Sequence, residues 1–282
     1  MKQRINMIGG GFQHDVCSSA LNKNKYVEWV KGYPSSEISI HIDQAVLQPV
    51  DKTKINYGWL CESSAIIPSV IETVINNIDS FKQRYKYIFT QDVRVVDKDP
   101  DFFKFTIPCA MPWIQNKKIY EKSKIVSMIA SNKRLCSGHL YRQEIISRLQ
   151  DRLDHYGRGF SGKELPWIVE TESGPESGKI LALKDYMFSV AMENANYDYA
   201  FCEKVTDCFA TGTIPIFWGG NKIVEFFDKD GIIFLENFDD VDSLTPELYF
   251  SKIESVKRNL ELLKELNTSE DYFYLNYIKD EL

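Results

Sequence analysis

Two polar pairs stand out for what their side chains could do together. Glu193-Asn194 follow an apolar run that ends at Met192, and Glu203-Lys204 open the helical pattern that comes next. A polar, aromatic loop separates them, residues 195–201. The first turn of a helix offers free backbone N–H groups and the positive end of the helix dipole, which together suit a phosphate. Lys204 would add a full charge there, at a position where lysine brings no helix stability of its own. Glu203 beside it has the chemistry to hold a vicinal diol such as a ribose. Spacing alone also allows a plain solvated helix start.

A departing diphosphate gathers negative charge in the transition state and needs cations. An attacking hydroxyl needs a base to take its proton. Glu62 is the candidate base, because it terminates the strand NYGWLCE, where a residue can open on a cleft. Asp92, ending YIFTQ, and Asp15 are reserves, and Glu62 also reads as a helix-capping carboxylate before Ser63-Ser64. His14 reads as a packed loop histidine. Residues 9–12, GGGF, read as a tight strand-to-helix turn and not as a dinucleotide fingerprint. No Asp-x-Asp pair follows a strand, and Asp239-Asp240 lie in an acidic loop. Lys and Arg would then meet the diphosphate charge, so neither a metal nor any other cofactor is expected. The four histidines are scattered and no CxxC pair occurs, so a zinc site is not expected either.

These residues need strand ends to carry them. Residues 4–10 read as a strand, followed by glycines and a short helix to about residue 31. Further strands are expected at 37–43, 54–63, 85–92 and 102–108, with a helix opening at Pro68. The Pro-containing stretch 108–123 reads as a crossing. The pattern then restarts with a strand at 124–131, a helix at 138–153, a Gly- and Ser-rich loop at 157–178, a strand within 183–194, a helix at 202–212, a strand at 213–220 and a long helix at 251–266. Such alternation indicates α/β domains with parallel sheets, which bind ligands at the carboxyl ends of their strands. Trp59, Trp113, Trp167 and Trp218 read as core.

The chain has 282 residues, room for two domains. Hydrophobic residues make up 44% and the net charge is −6, so a broad nucleic-acid surface is not expected. Six cysteines without close pairs read as reduced thiols. No apolar run approaches a membrane span, and the N-terminus lacks a secretory pattern. Lys279 to Leu282 spell an ER-retention address that has no use without such a signal. The expectation is a cytoplasmic protein, soluble or peripheral at a membrane, with no integral membrane segment.

Residues 186–220 resemble the signature of the α-1,3/4-fucosyltransferases. The likeness lies in Met192-Glu193-Asn194, Cys202-Glu203-Lys204 and the run Gly212 to Gly219, GTIPIFWG, with Cys202 for the usual Thr and Phe217 for the usual Tyr. The resemblance implies an α/β, GT-B-like fold of two Rossmann-like domains facing a cleft. Residues 1–115 would form the acceptor side and 116–282 the nucleotide-sugar side, with the last helix free to pack back on the first. It implies that Glu203 holds the ribose, that Lys204 contacts the diphosphate, and that Glu193, Asn194 and Tyr199 line the donor site. Ser131-Asn132 match a further element that leads to a diphosphate-binding arginine, here Arg142, with Arg134 or Lys133 as alternatives. An arginine fork suits phosphate oxygens. Glu62 matches the family's base. The activity implied is inverting transfer of a sugar, fucose from GDP-fucose above all, to a glycan or glycolipid hydroxyl. A transferase using another nucleotide sugar and a non-catalytic binding relative remain alternatives.

Overall fold

The structure, a computed structural model, describes residues 2–9, 16–31, 36–149, 151–159, 163–237 and 241–281. His14, Asp15, most of the 9–12 turn and Asp239-Asp240 lie outside the described residues. The chain divides into two compact units, Met1–Cys109 with Tyr197–Ala200 and Asn267–Leu282, and Ala110–Asn196 with Phe201–Leu266.

The first unit holds a six-stranded parallel sheet in the order β2-β1-β3-β4-β5-β6. The strands are β1 (Gln3–Ile8), β2 (Val27–Lys31), β3 (Ile38–Ile42), β4 (Ile55–Leu60), β5 (Ile88–Thr90) and β6 (Phe103–Phe105). Among the described residues the expected helix before residue 31 does not form, and Val27–Lys31 is an edge strand. Val27 and Trp29 are buried and Glu28 is exposed, the period of two that a half-covered strand requires. Pro68 does open a helix, α1 (Pro68–Asn76), which breaks at Asn77 into α2 (Ile78–Lys82). A one-turn α3 (Val93–Val96) follows β5. Phe273, in α8 (Ser269–Phe273), stacks on Phe89 at 4.6 Å and joins the apolar layer under Tyr57 and Trp59.

The second unit holds a five-stranded parallel sheet ordered β13-β12-β11-β7-β8. Its strands are β7 (Lys124–Ile129), β8 (Asp154–Tyr156), β11 (Tyr186–Met192), β12 (Ile214–Trp218) and β13 (Ile233–Phe234). The stretch expected as a loop at 157–178 contains an antiparallel hairpin, β9 (Ile168–Thr171) and β10 (Gly174–Ser177), turning through Glu172-Ser173. Helices α4 (Ser137–Leu149), α5 (Glu203–Thr211), α6 (Pro246–Ser251) and α7 (Ile253–Leu262) belong to this unit. β11 is buried along its whole length, as a central parallel strand must be. Among the described residues no helix is long and apolar enough to cross a membrane.

Candidate active site

In the second sheet the chain order reverses between β7 and β11, so the loops leaving those neighbouring strands diverge and leave a crevice at their carboxyl ends. A cavity of about 310 Å³ lies there, lined by Ala130 and Ser131 after β7, Met192 at the end of β11 and Asn194 beyond it, and Glu203 and Lys204 of α5. Arg142, His139, Lys133, Lys179 and Asp207 complete its polar wall. The close fit depends on glycine. A Cβ on Gly138 would lie 2.4 Å from the Glu193 carbonyl oxygen, and one on Gly157, at φ +133°, 1.8 Å from that of Ala130.

Arg142 stands in the middle of α4, not at its start, and is only 7% exposed. Its Nη2 donates to the Met192 carbonyl at 2.7 Å and to Asn194 Oδ1 at 2.8 Å. The guanidinium is thereby clasped to the end of β11, and its other N–H groups have no hydrogen-bond partner among the described residues.

At α5 the N-cap residue Cys202 supplies no capping side chain. Its N–H and its thiol instead donate to the Glu193 carboxylate, the N–H at 2.9 Å. Lys204 Nζ lies 3.1 Å from Glu193 Oε2 and 2.8 Å from Cys202 Sγ. Burial alone would depress the Lys204 ammonium, but the Cys202 sulfur and the Glu193 and Glu203 carboxylates reverse the sign and hold it protonated.

Nothing in the sequence around Lys179 marks it as part of the site. It follows the β9–β10 hairpin, and its ammonium bonds Glu203 at 3.1 Å and Asp207 at 2.9 Å while lying 3.8 Å from the centre of the Trp113 ring. Burial raises the Glu203 carboxyl, but Lys179 and then Lys204 outweigh it and hold it well below the usual carboxylate range. Asp207 also accepts the Trp113 and Ile114 N–H groups, and Glu176 accepts those of Gln115 and Asn116. Trp113 thus sits under a cation, while Trp167, expected in the core, is 53% exposed and meets it edge-on.

The cavity therefore gathers Arg142, Asn194, Glu203 and Lys204, with Glu193 directly behind Lys204. Tyr199 is not among its lining residues; it counts with the first unit, where its ring lies 4.8 Å from that of Phe105.

Glu62 also belongs to the first unit, exposed just beyond β4. Its N–H and that of Cys61 donate to Asp43 Oδ1 at 3.0 and 2.8 Å. Asp43, at the end of β3, has a left-handed φ of +49°. Burial pushes its carboxyl up to about 6, against the two N–H groups that favour the charged form. The reserve Asp92 is occupied, since it caps α3 and both of its oxygens bind Arg94. Among the described residues no group of three or more His, Cys, Asp or Glu side chains could hold a metal ion.

Residues 119–275, more than half of the chain, match glycosyltransferase family 10 (fucosyltransferase), C-terminal region. The chain belongs to this family. No curated protein matches the sequence. Among solved structures this family member is similar to an α1,3-fucosyltransferase crystallised with GDP-fucose, at 14% identity, 96% coverage of this chain, 84% of that one and a TM-score of 0.50. It is also similar to TarM of S. aureus (14% identity, 86% and 55% coverage, TM-score 0.55), of which it spans about half. A third is the sucrose-phosphate synthase of Thermosynechococcus elongatus (8% identity, 99% coverage of both chains, TM-score 0.55). At these identities the likeness is one of fold, and that fold class is GT-B. The protein is a glycosyltransferase of the fucosyltransferase family.

Proposed function

We propose that the protein transfers fucose from GDP-fucose, with inversion, to a glycan or glycolipid hydroxyl, and that it needs no metal. The observation that carries this reading is the cavity at the β7/β11 crevice, with Arg142 and Lys204 on one wall and the ionised Glu203 beside them. In this reading Arg142 and Lys204 take the growing charge of the diphosphate, and Glu203 takes the ribose hydroxyls. A cation fixed in a poorly solvated site stabilises developing charge more than one in water does. Glu62 is the proposed base, taking the proton of the hydroxyl that attacks in line with the departing diphosphate. The fold is also that of an α1,3-fucosyltransferase crystallised with GDP-fucose, which supports this donor without selecting it over other nucleotide sugars.

The test is a thermal-shift screen of GDP-, UDP-, CMP- and dTDP-sugars in EDTA and again in Mg²⁺, since a ligand bound only by the folded state raises the melting temperature. GDP-fucose is expected to give the largest shift, equal in both buffers. A shift that disappears in EDTA sinks the metal-free reading, and a larger shift with another nucleotide sugar replaces the donor. Product anomer analysis after turnover tests inversion.

A further inference from the structure

His139 lines the same cavity, on the first turn of α4, and is 5% exposed. The Leu135 N–H donates to its Nδ1 at 3.2 Å. A ring nitrogen that accepts a backbone N–H carries no proton, so the neutral ring must carry its proton on Nε2. Nε2 has no hydrogen-bond partner among the described residues. The ring lines the cavity, so this N–H is open to a ligand there, and a donor set in a poorly solvated pocket gains most from a charged acceptor. The charges that face the ring are Arg142 on its own helix, Lys133 on the preceding loop and Lys204 on α5, all cationic, while the Glu193 carboxylate is occupied by Lys204 and Cys202. Burial first, and then these three cations, keep the imidazole below its ordinary range and neutral.

We propose that the His139 Nε2–H donates an uncharged hydrogen bond to a phosphate oxygen of the donor's diphosphate, between the cations Arg142 and Lys204. The proposal rests on the nucleotide-sugar reading of this cavity. It makes His139 a binding residue, and Leu135 the group that fixes its tautomer.

Two substitutions separate this from a packing role. Asparagine can place an acceptor near Nδ1 and so keep the Leu135 contact, but it has no donor at Nε2. Glutamine can place an N–H near Nε2 and gives up the Leu135 contact. GDP and UDP are titrated calorimetrically into wild type, His139→Asn and His139→Gln in EDTA. His139→Asn is expected to bind the preferred nucleotide roughly tenfold to hundredfold more weakly, the ordinary strength of a hydrogen bond to a charged group. His139→Gln is expected to keep most of the affinity. In wild type, ¹⁵N NMR is expected to show a protonated Nε2 and a bare Nδ1, with the Nε2 resonance moving on nucleotide addition; this holds the proposal to account even if a variant fails to fold. Wild-type affinity in His139→Asn, equal losses in both variants, or an unmoved Nε2 resonance overturns the proposal while leaving the nucleotide reading in place. Failure of wild type to bind either nucleotide overturns both.

Discussion

The carboxyl ends of the two sheets carry polar clusters of opposite character. In the second unit Glu193, Glu203 and Asp207 each pair with a lysine, and Arg142 is clasped by the end of β11. In the first unit Asp43 holds only the backbone at Glu62, whose carboxylate is exposed and makes no hydrogen bond or ion pair among the described residues. In the proposed function the difference corresponds to two demands of glycosyl transfer. Charge that must meet a leaving diphosphate works best when already oriented and dry. A group that must take up a proton works only if it can be reached.

The largest expected effect lies on the sparse side. Glu62→Gln should lower turnover about 10²–10⁴-fold, the usual cost of losing a general base. Donor affinity by calorimetry should be unchanged. Lost donor affinity would erase the division of labour between the clusters, and wild-type turnover would remove Glu62 from the chemistry.

Next come the paired cations. Lys204→Ala and Arg142→Ala should each lower kcat/KM about 10²-fold, equivalent to about 2.7 kcal/mol of transition-state stabilisation. Arg142→Ala should also lower the melting temperature, because the Met192 carbonyl and Asn194 lose their donor. A change under about threefold in kcat/KM for either variant removes that residue from the diphosphate site.

The smallest effect concerns Asp43. Its folded pKa, raised to about 6, lies above the usual carboxylate value. The folded state therefore binds more protons than the unfolded state between about pH 4 and 6, and stability falls as pH rises through that window. Asp43→Asn keeps an acceptor for the Cys61 and Glu62 N–H groups but cannot ionise. Its unfolding free energy, followed by urea titration from pH 4 to 7, should fall less steeply with pH than that of wild type. Equal slopes would show that Asp43 titrates normally.

The donor side was the more legible in the sequence because strand, loop, helix and strand follow one another in residues 186–220, so contacts that matter are close along the chain. Glu193 and Lys204, eleven positions apart, meet directly. Lys179 was not legible, because its partners Glu203 and Asp207 lie 24 and 28 positions away. It also follows a hairpin that reads as a loop when Gly, Ser and Pro are weighed by composition. His139 was hidden for another reason: its role depends on Leu135 blocking one ring nitrogen, and no residue pattern records that. Residues 27–31 form a strand where a helix is expected after the glycine turn, because Val27, Trp29 and Val30 have β-branched or aromatic shapes that fit a sheet. Asp43 ends an expected strand with no sign of a partner in the sequence, since only the fold brings it under the Cys61 and Glu62 backbone.

The segment that joins the first unit from the far end of the chain bears on the order in which the protein forms. Glu270, fully buried, accepts the Ser18 hydroxyl at 2.7 Å and the Trp29 indole N–H at 3.1 Å, and Asp271 accepts the N–H groups of Lys25 and Tyr26. These contacts span 241 to 252 positions of sequence. On the ribosome the first unit is thus begun early and finished late, while the whole of the second is synthesised in between. Until residues 267–282 emerge, Trp29 and the edge strand β2 wait without their carboxylate partners, exposed to misassociation. Late closure of this kind slows folding, because the chain entropy of distant contacts must be overcome before they contribute.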